Sequence, residues 1–109
     1  MLKQNTLRAA ISVTGSGDAT LVAADPSRKI YVWQWFFVNG HATQDVNVTL
    51  KEGSTAISGA YLIKAAGGSH TAPGSGVPWA IVPVGSAFVL NTDAAGTLKG
   101  TIYYSYDNL

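Results

Sequence analysis

The chain has 109 residues, enough to close one hydrophobic core as a single domain over 1–109, and its hydrophobic share is 47%. Charged residues make up only 12%, and seven basic against six acidic side chains leave a net charge of +1. That balance argues against the clustered basic face of a nucleic-acid binder and the polybasic run of a membrane-surface protein. The absence of cysteine excludes a disulfide framework and every thiolate zinc site.

Met1–Thr6 has no apolar stretch of the secretion-signal kind and reads as a flexible N-terminal arm. Leu7–Val13 reads as the first strand, and Gly15-Ser16-Gly17-Asp18 as the turn that ends it. A short strand over Thr20–Ala23 stops at Asp25-Pro26-Ser27, where the proline presets φ. The longest strand is Lys29–Asn39, and Asn39-Gly40 closes it. In Asp45–Glu52, Val46, Val48 and Leu50 alternate with Asn47, Thr49 and Lys51, so one face meets a core and the other meets water. Ala60–Lys64 follows, and residues 67–76, rich in Gly, read as a loop. Trp79–Val82, Ser86–Asn91 and Thr97–Tyr106 complete the set; Leu98, Ile102 and Tyr104 share one side of the last strand. No stretch carries helical periodicity. The expectation is an all-β domain: one antiparallel β-sandwich or jelly roll of about eight short strands.

The third strand breaks the alternation. Its even positions, Ile30, Val32, Phe36 and Val38, make an ordinary core face. Its odd positions place Tyr31, Trp33, Trp35 and Phe37 on the opposite side, and a two-layer sandwich has only one interior. Four rings of roughly 150–250 Å2 each, at about 25 cal/mol per Å2, are worth on the order of 10 kcal/mol when covered. The cover is a neighbouring subunit, the Gly-rich loop or a ligand. Four rings exceed what one loop of small residues covers well, so a subunit is favoured, and the interface is expected at Tyr31, Trp33, Trp35 and Phe37. Tyr103 and Tyr106 extend it near the C-terminus.

Candidates for chemistry are sparse. His41 and His70 both lie among small residues and read as exposed loop histidines; Asp45 is the one carboxylate near His41. The Gly-x-Ser-x-Gly elbow of a serine hydrolase does not occur. Asp18, Asp25 and Asp93 sit in predicted turns, where a carboxylate caps backbone N–H groups. No enzyme, cofactor or metal is expected. Trp33, Trp35 and Trp79 raise a second reading, since sugars stack on aromatic faces.

Three parts of the chain carry a shared pattern of turns and short strands. The first is Gly17-Asp18-Ala19-Thr20-Leu21-Val22-Ala23-Ala24 with Lys29-Ile30-Tyr31-Val32, and the second is residues 46–59. The third is Gly96-Thr97-Leu98-Lys99-Gly100-Thr101-Ile102-Tyr103-Tyr104. In them the chain resembles small virion proteins of tailed bacteriophages, of the kind that decorate or cement the capsid or form head or tail appendages. The aromatic run of the third strand is richer than that pattern. The resemblance implies a symmetric homo-oligomer, often a trimer. It would sit in the virion on other virion proteins such as the major capsid protein, with no nucleic acid and no membrane as partner. The alternative is a receptor- or carbohydrate-binding domain of a tail fibre or adhesin.

Overall fold

A computed structural model describes residues 6–72, 74 and 76–106. The N-terminal arm expected over 1–6 therefore lies outside the described residues except for Thr6. Ten strands run in chain order: β1 Leu7–Val13, β2 Gly17–Val22, β3 Ile30–Asn39, β4 Val46–Glu52, β5 Thr55–Ala56, β6 Tyr61–Ile63, β7 Gly68–Ala72, β8 Ala80–Val82, β9 Phe88–Thr92 and β10 Leu98–Tyr106. The first sheet has the order β1-β10-β3, with β7 and β8 following one another along the far side of β3. The second has the order β2-β9-β4, with β5 and β6 along the far side of β4. All pairs are antiparallel. Each sheet draws strands from both halves of the chain, and the two pack face to face as an antiparallel sandwich.

The core lies between the sheets. Ile11 and Val13 of β1, Val46, Val48 and Leu50 of β4, and Leu98 and Ile102 of β10 all point into it, as their alternation requires. On β9, Phe88 and Leu90 join them. No buried side-chain nitrogen or oxygen among the described residues lacks a hydrogen-bond partner. Gly100 is needed where β10 passes β3: a Cβ there would run into the backbone of Phe36 and Phe37.

Asp25 behaves as a turn carboxylate should. Its side chain accepts from the Ser27 and Arg28 N–H groups at 2.9 and 2.8 Å, and pairs with the Arg28 guanidinium. The Ser27 amide and Arg28 together hold its carboxyl down to about 2. Asp18, expected in a turn, stands on β2, where its carboxylate pairs with Lys51 at 3.0 Å and accepts from Asn91 at 2.7 Å.

The turn between β6 and β7 holds the one described residue other than glycine with positive φ, Ala66 at 59°. A Cβ in the left-handed region costs about 1–2 kcal/mol. The turn stays because Ala66 N donates to His41 O at 2.7 Å and Gly67 N donates to Asn39 O at 2.8 Å. Ala66→Gly should therefore raise the unfolding free energy by about 1 kcal/mol, offset in part by the freer unfolded chain. Denaturant titration checks this as a higher midpoint at unchanged slope.

Candidate interaction surface

The four rings of β3 do not share a face. Between Tyr103 and Tyr104 of β10 the register shifts by one, so that Tyr103 lies opposite Gln34 and Tyr104 opposite Val32. Trp33 is the extra residue of a β-bulge, and the bulge reverses the strand's phase. Before it, Ile30 and Val32 face the core; after it, Trp35, Phe37 and Asn39 do, at 2%, 1% and 0% exposure. Trp35 and Phe37 are thus core residues and not an interface, and Phe36 and Val38, expected inside, turn outward. Phe36 is 47% exposed. The bulge lets both ends of a run whose one interior polar residue is Gln34 bury apolar groups.

Tyr31 and Trp33 do lie on the outer face of this sheet, with ring centroids 6.1 Å apart. Trp33 is 4% exposed, and its indole N–H donates to the buried Ser105 hydroxyl at 2.8 Å. Its cover is the chain itself. Strand β7 stops at Ala72 opposite Trp35 and β8 resumes at Ala80 opposite Val32, so the pairing along this side of β3 is interrupted at the bulge. Trp79 N donates back to Val32 O at 2.7 Å, and a Cβ at Gly74 would strike the Gln34 side chain. The chain itself therefore buries the ring at the bulge without a subunit, and Thr71, Ala72, Val77 and Pro78 line a cleft with it. Tyr103 faces outward beside Gln34. Tyr106 sits on the inner side, packed on the core with Tyr104 edge-on at 5.7 Å and the Arg28 guanidinium 3.9 Å above its ring. Of the six expected interface residues, Tyr31, Trp33 and Tyr103 share the outer face.

The register assembles that face row by row. Thr71, Phe36, Thr101 and Ala10 stand side by side across four strands; Ser69, Val38, Lys99 and Ser12 form the next row. Ile81 adjoins Tyr31 and is as exposed as Phe36. The charges that β1 and β10 bring to this face are Arg8 and Lys99, both cationic. The outer face of the other sheet differs in character. There Asp18, Lys51 and Asn91 form one polar network, while Asn47 and Asp93 form a second at 2.8 and 2.9 Å. Leu62 on β6 is the exposed apolar side chain beside these networks, whereas the β1-β10-β3 face sets Phe36, Ile81 and Tyr31 among its threonines and serines.

His70 is not an exposed loop residue. It lies on β7, half-buried, with its ring stacked 4.1 Å from Tyr61, and its Nδ1 accepts from the Trp35 indole at 3.1 Å. Burial pushes its imidazole below the ordinary 6.5. Protonating Nδ1 would also set two donors against each other. The unfolded chain takes up the proton near 6.5 and the folded chain only at lower pH, so the unfolded state binds more protons between the two. Stability should hold above 6.5 and fall as pH drops below it, well before the Asp25 carboxyl begins to titrate. His70→Gln, which keeps an acceptor and cannot titrate, should remove that decline in thermal melts.

A cleft of about 300 Å3 opens beside these groups, lined by Trp33, His70, Thr71, Ala72, Val77, Pro78 and Trp79. His41 and Asp45 do not pair: His41 Nδ1 accepts from the Thr43 and Gln44 amides, and the Asp45 carboxylate accepts from Ala65 N and Lys64. Among the described residues no three His, Asp or Glu side chains converge as a metal site. Among the described residues no helix is long and apolar enough to cross a membrane. Comparisons with family models, curated proteins and solved structures find no match to this chain.

Proposed function

We propose that this protein is a structural component of a tailed-phage particle, a capsid decoration or cement protein that adheres through the outer face of the β1-β10-β3 sheet. The observation that carries the reading is the contrast between the two sheet faces. Phe36, Ile81 and Val77 are exposed on or beside one of them, with half-buried Tyr31 and Tyr103 between. The other carries two hydrogen-bonded polar networks, with Leu62 exposed on β6 at its edge. An apolar patch of that kind on a chain with 12% charge is suited to a partner protein surface. Antiparallel sandwiches of the jelly-roll kind recur in viral capsids and lectins, which fits the reading without deciding it. Adhesion needs no cofactor: it follows from apolar burial, and the cationic Arg8 and Lys99 suit an acidic margin on the partner.

Co-sedimentation with particles lacking the protein tests this. Phe36→Asp should reduce attachment at least about tenfold, since a charge buried opposite apolar surface is costly. Thr49→Asp, on the polar face, should leave attachment unchanged. Equal attachment of both variants would refute the assignment of the surface.

The cleft beside Trp33 and Trp79 favours a second reading, a receptor- or carbohydrate-binding domain. It is near the small end of ligand-site volumes, roughly 300–1,000 Å3. Retention on a glycan array that is abolished by Trp79→Ala and untouched by Phe36→Asp would favour it over capsid adhesion.

A further inference from the structure

A two-sheet sandwich has four sheet edges, and three of them here are interrupted. The far edge of the first sheet is made of β7 and β8, five and three residues long and broken at the bulge. In the second sheet, β5 and β6 have two and three residues, while β2 is kinked by a register shift between Thr20 and Val22 and carries Gly17 and Asp18. Short strands, bulges and charges are the devices that stop sheets from pairing edge to edge. Strand β1 is long and unbroken by comparison, and Arg8, its one charge, points outward. It runs seven residues, pairs with β10 in unbroken register, and contains no proline, no glycine and no inward-pointing charge. Among the described residues no strand lies on its other side.

We propose that β1 is a self-pairing edge, joining two copies of this chain antiparallel about a two-fold axis at Ala10. The sequence of the strand commits it to that occupant. Its midpoint is Ala10, so the register that pairs all seven residues sets Ala10 against Ala10. The same register sets Ala9 against Ile11, Arg8 against Ser12 and Leu7 against Val13. Each pairing is between side chains of one face and compatible chemistry. Leu7, 44% exposed at the end of the inner face, gains an apolar neighbour in Val13 of the second copy. Arg8, the strand's one charge, meets the Ser12 hydroxyl, which accepts from Lys99 at 2.7 Å and keeps a second lone pair, and not the other copy's Arg8, which directly opposed would be destabilising. The self-complementarity is what an isologous contact requires. Pairing would merge the two β1-β10-β3 sheets into one and make their apolar outer faces continuous. The contact uses an edge and not that face, so it stands whether or not the face binds capsid.

The cysteine-free chain makes the test clean. Directly opposed residues in an antiparallel pair have Cα atoms about 4.5–5.5 Å apart, within the disulfide range of about 4.4–6.8 Å. Under mild oxidation at micromolar concentration, full-length Ala10→Cys should form a covalent dimer rapidly. Thr101→Cys, on the same face but one strand inward, should not. In sedimentation of the unmodified chain a dimer is expected, and Ala10→Lys, which opposes two ammonium groups at the axis, should weaken it by about tenfold or more. Circular dichroism of each variant reports retained folding. A monomeric wild-type chain, or equal cross-linking of the two cysteine variants, would overturn the proposal. So would association that survives Ala10→Lys and is lost in Phe36→Asp, which would move the contact to the sheet face.

Discussion

Trp35→Ala should cost about 4 kcal/mol of folding stability, within the usual range for truncating a buried Trp. The indole is wedged edge-on against Trp79 with centroids 4.2 Å apart, lies 6.4 Å from Phe88, and donates its N–H to His70. Its removal leaves a cavity where the two sheets meet and takes from His70 the donor at Nδ1. Against a total stability of about 5–15 kcal/mol for a domain of this size, the variant should be marginal at room temperature. Trp35→Phe keeps most of the volume and loses the N–H, so it should cost about 1–2 kcal/mol. Chemical denaturation with fluorescence from the remaining Trp33 and Trp79 measures both. A stably folded Trp35→Ala that merely fails to assemble would restore the ring to an interface and contradict its place in the core.

Asn39→Ala should cost about 3 kcal/mol, a large effect for a residue that reads as turn punctuation. The side chain is fully buried at the end of β3 and ties three segments together. Its amide donates to the Gln44 and Ile63 carbonyls at 2.8 and 3.2 Å, and its oxygen accepts from the His41 and Thr97 amides at 3.1 and 3.2 Å. Alanine would leave four backbone groups without partners, at about 1–3 kcal/mol for each that water cannot reach. Asn39→Asp provides the sharper comparison. It keeps the acceptor for His41 and Thr97 but turns an oxygen toward two carbonyls, so its deficit should shrink in acid, when the carboxyl is protonated and can donate. The Asn39→Ala deficit has no such group to titrate, so the stability curves of the two variants against pH should not run parallel. Parallel curves would show that the amide donors contribute nothing.

The parts of the fold legible in the sequence are those where alternation is unambiguous. The bounds of β1 coincide with expectation, and Val46, Val48 and Leu50 face inward as their spacing requires. Both extra strands are weak in sequence. Thr55–Ala56 is only two residues long, and Gly68–Ala72 is built largely from Gly, Ser, His and Thr, which are turn-like until β3 offers them backbone partners. Within β3 the one interior polar residue is Gln34, directly after the slip, and a single marker is too little for period-two counting to fix the phase on both sides of it. The slip at Trp33 is set by pairing with β10, a partner more than about sixty residues away in the chain, and no local signal marks it. That one bulge puts Trp35 and Phe37 in the core and brings Phe36 out. The outer aromatic surface is thus legible in kind at Tyr31, Trp33 and Tyr103, and misread in membership at Trp35, Phe37 and Tyr106. Asn39 does not announce itself as a hub because its four partners come from segments that only the tertiary fold brings together.

The outer face of the β1-β10-β3 sheet is the proposed attachment surface. Oxidative footprinting of the free protein and of the protein bound to particles, read residue by residue by mass spectrometry, tests it most directly. The account predicts that Phe36, Tyr31, Tyr103 and Ile81 lose reactivity on attachment, while Leu62, exposed on the opposite sheet, keeps its own. Protection of Leu62 with Phe36 and Ile81 unchanged would contradict it.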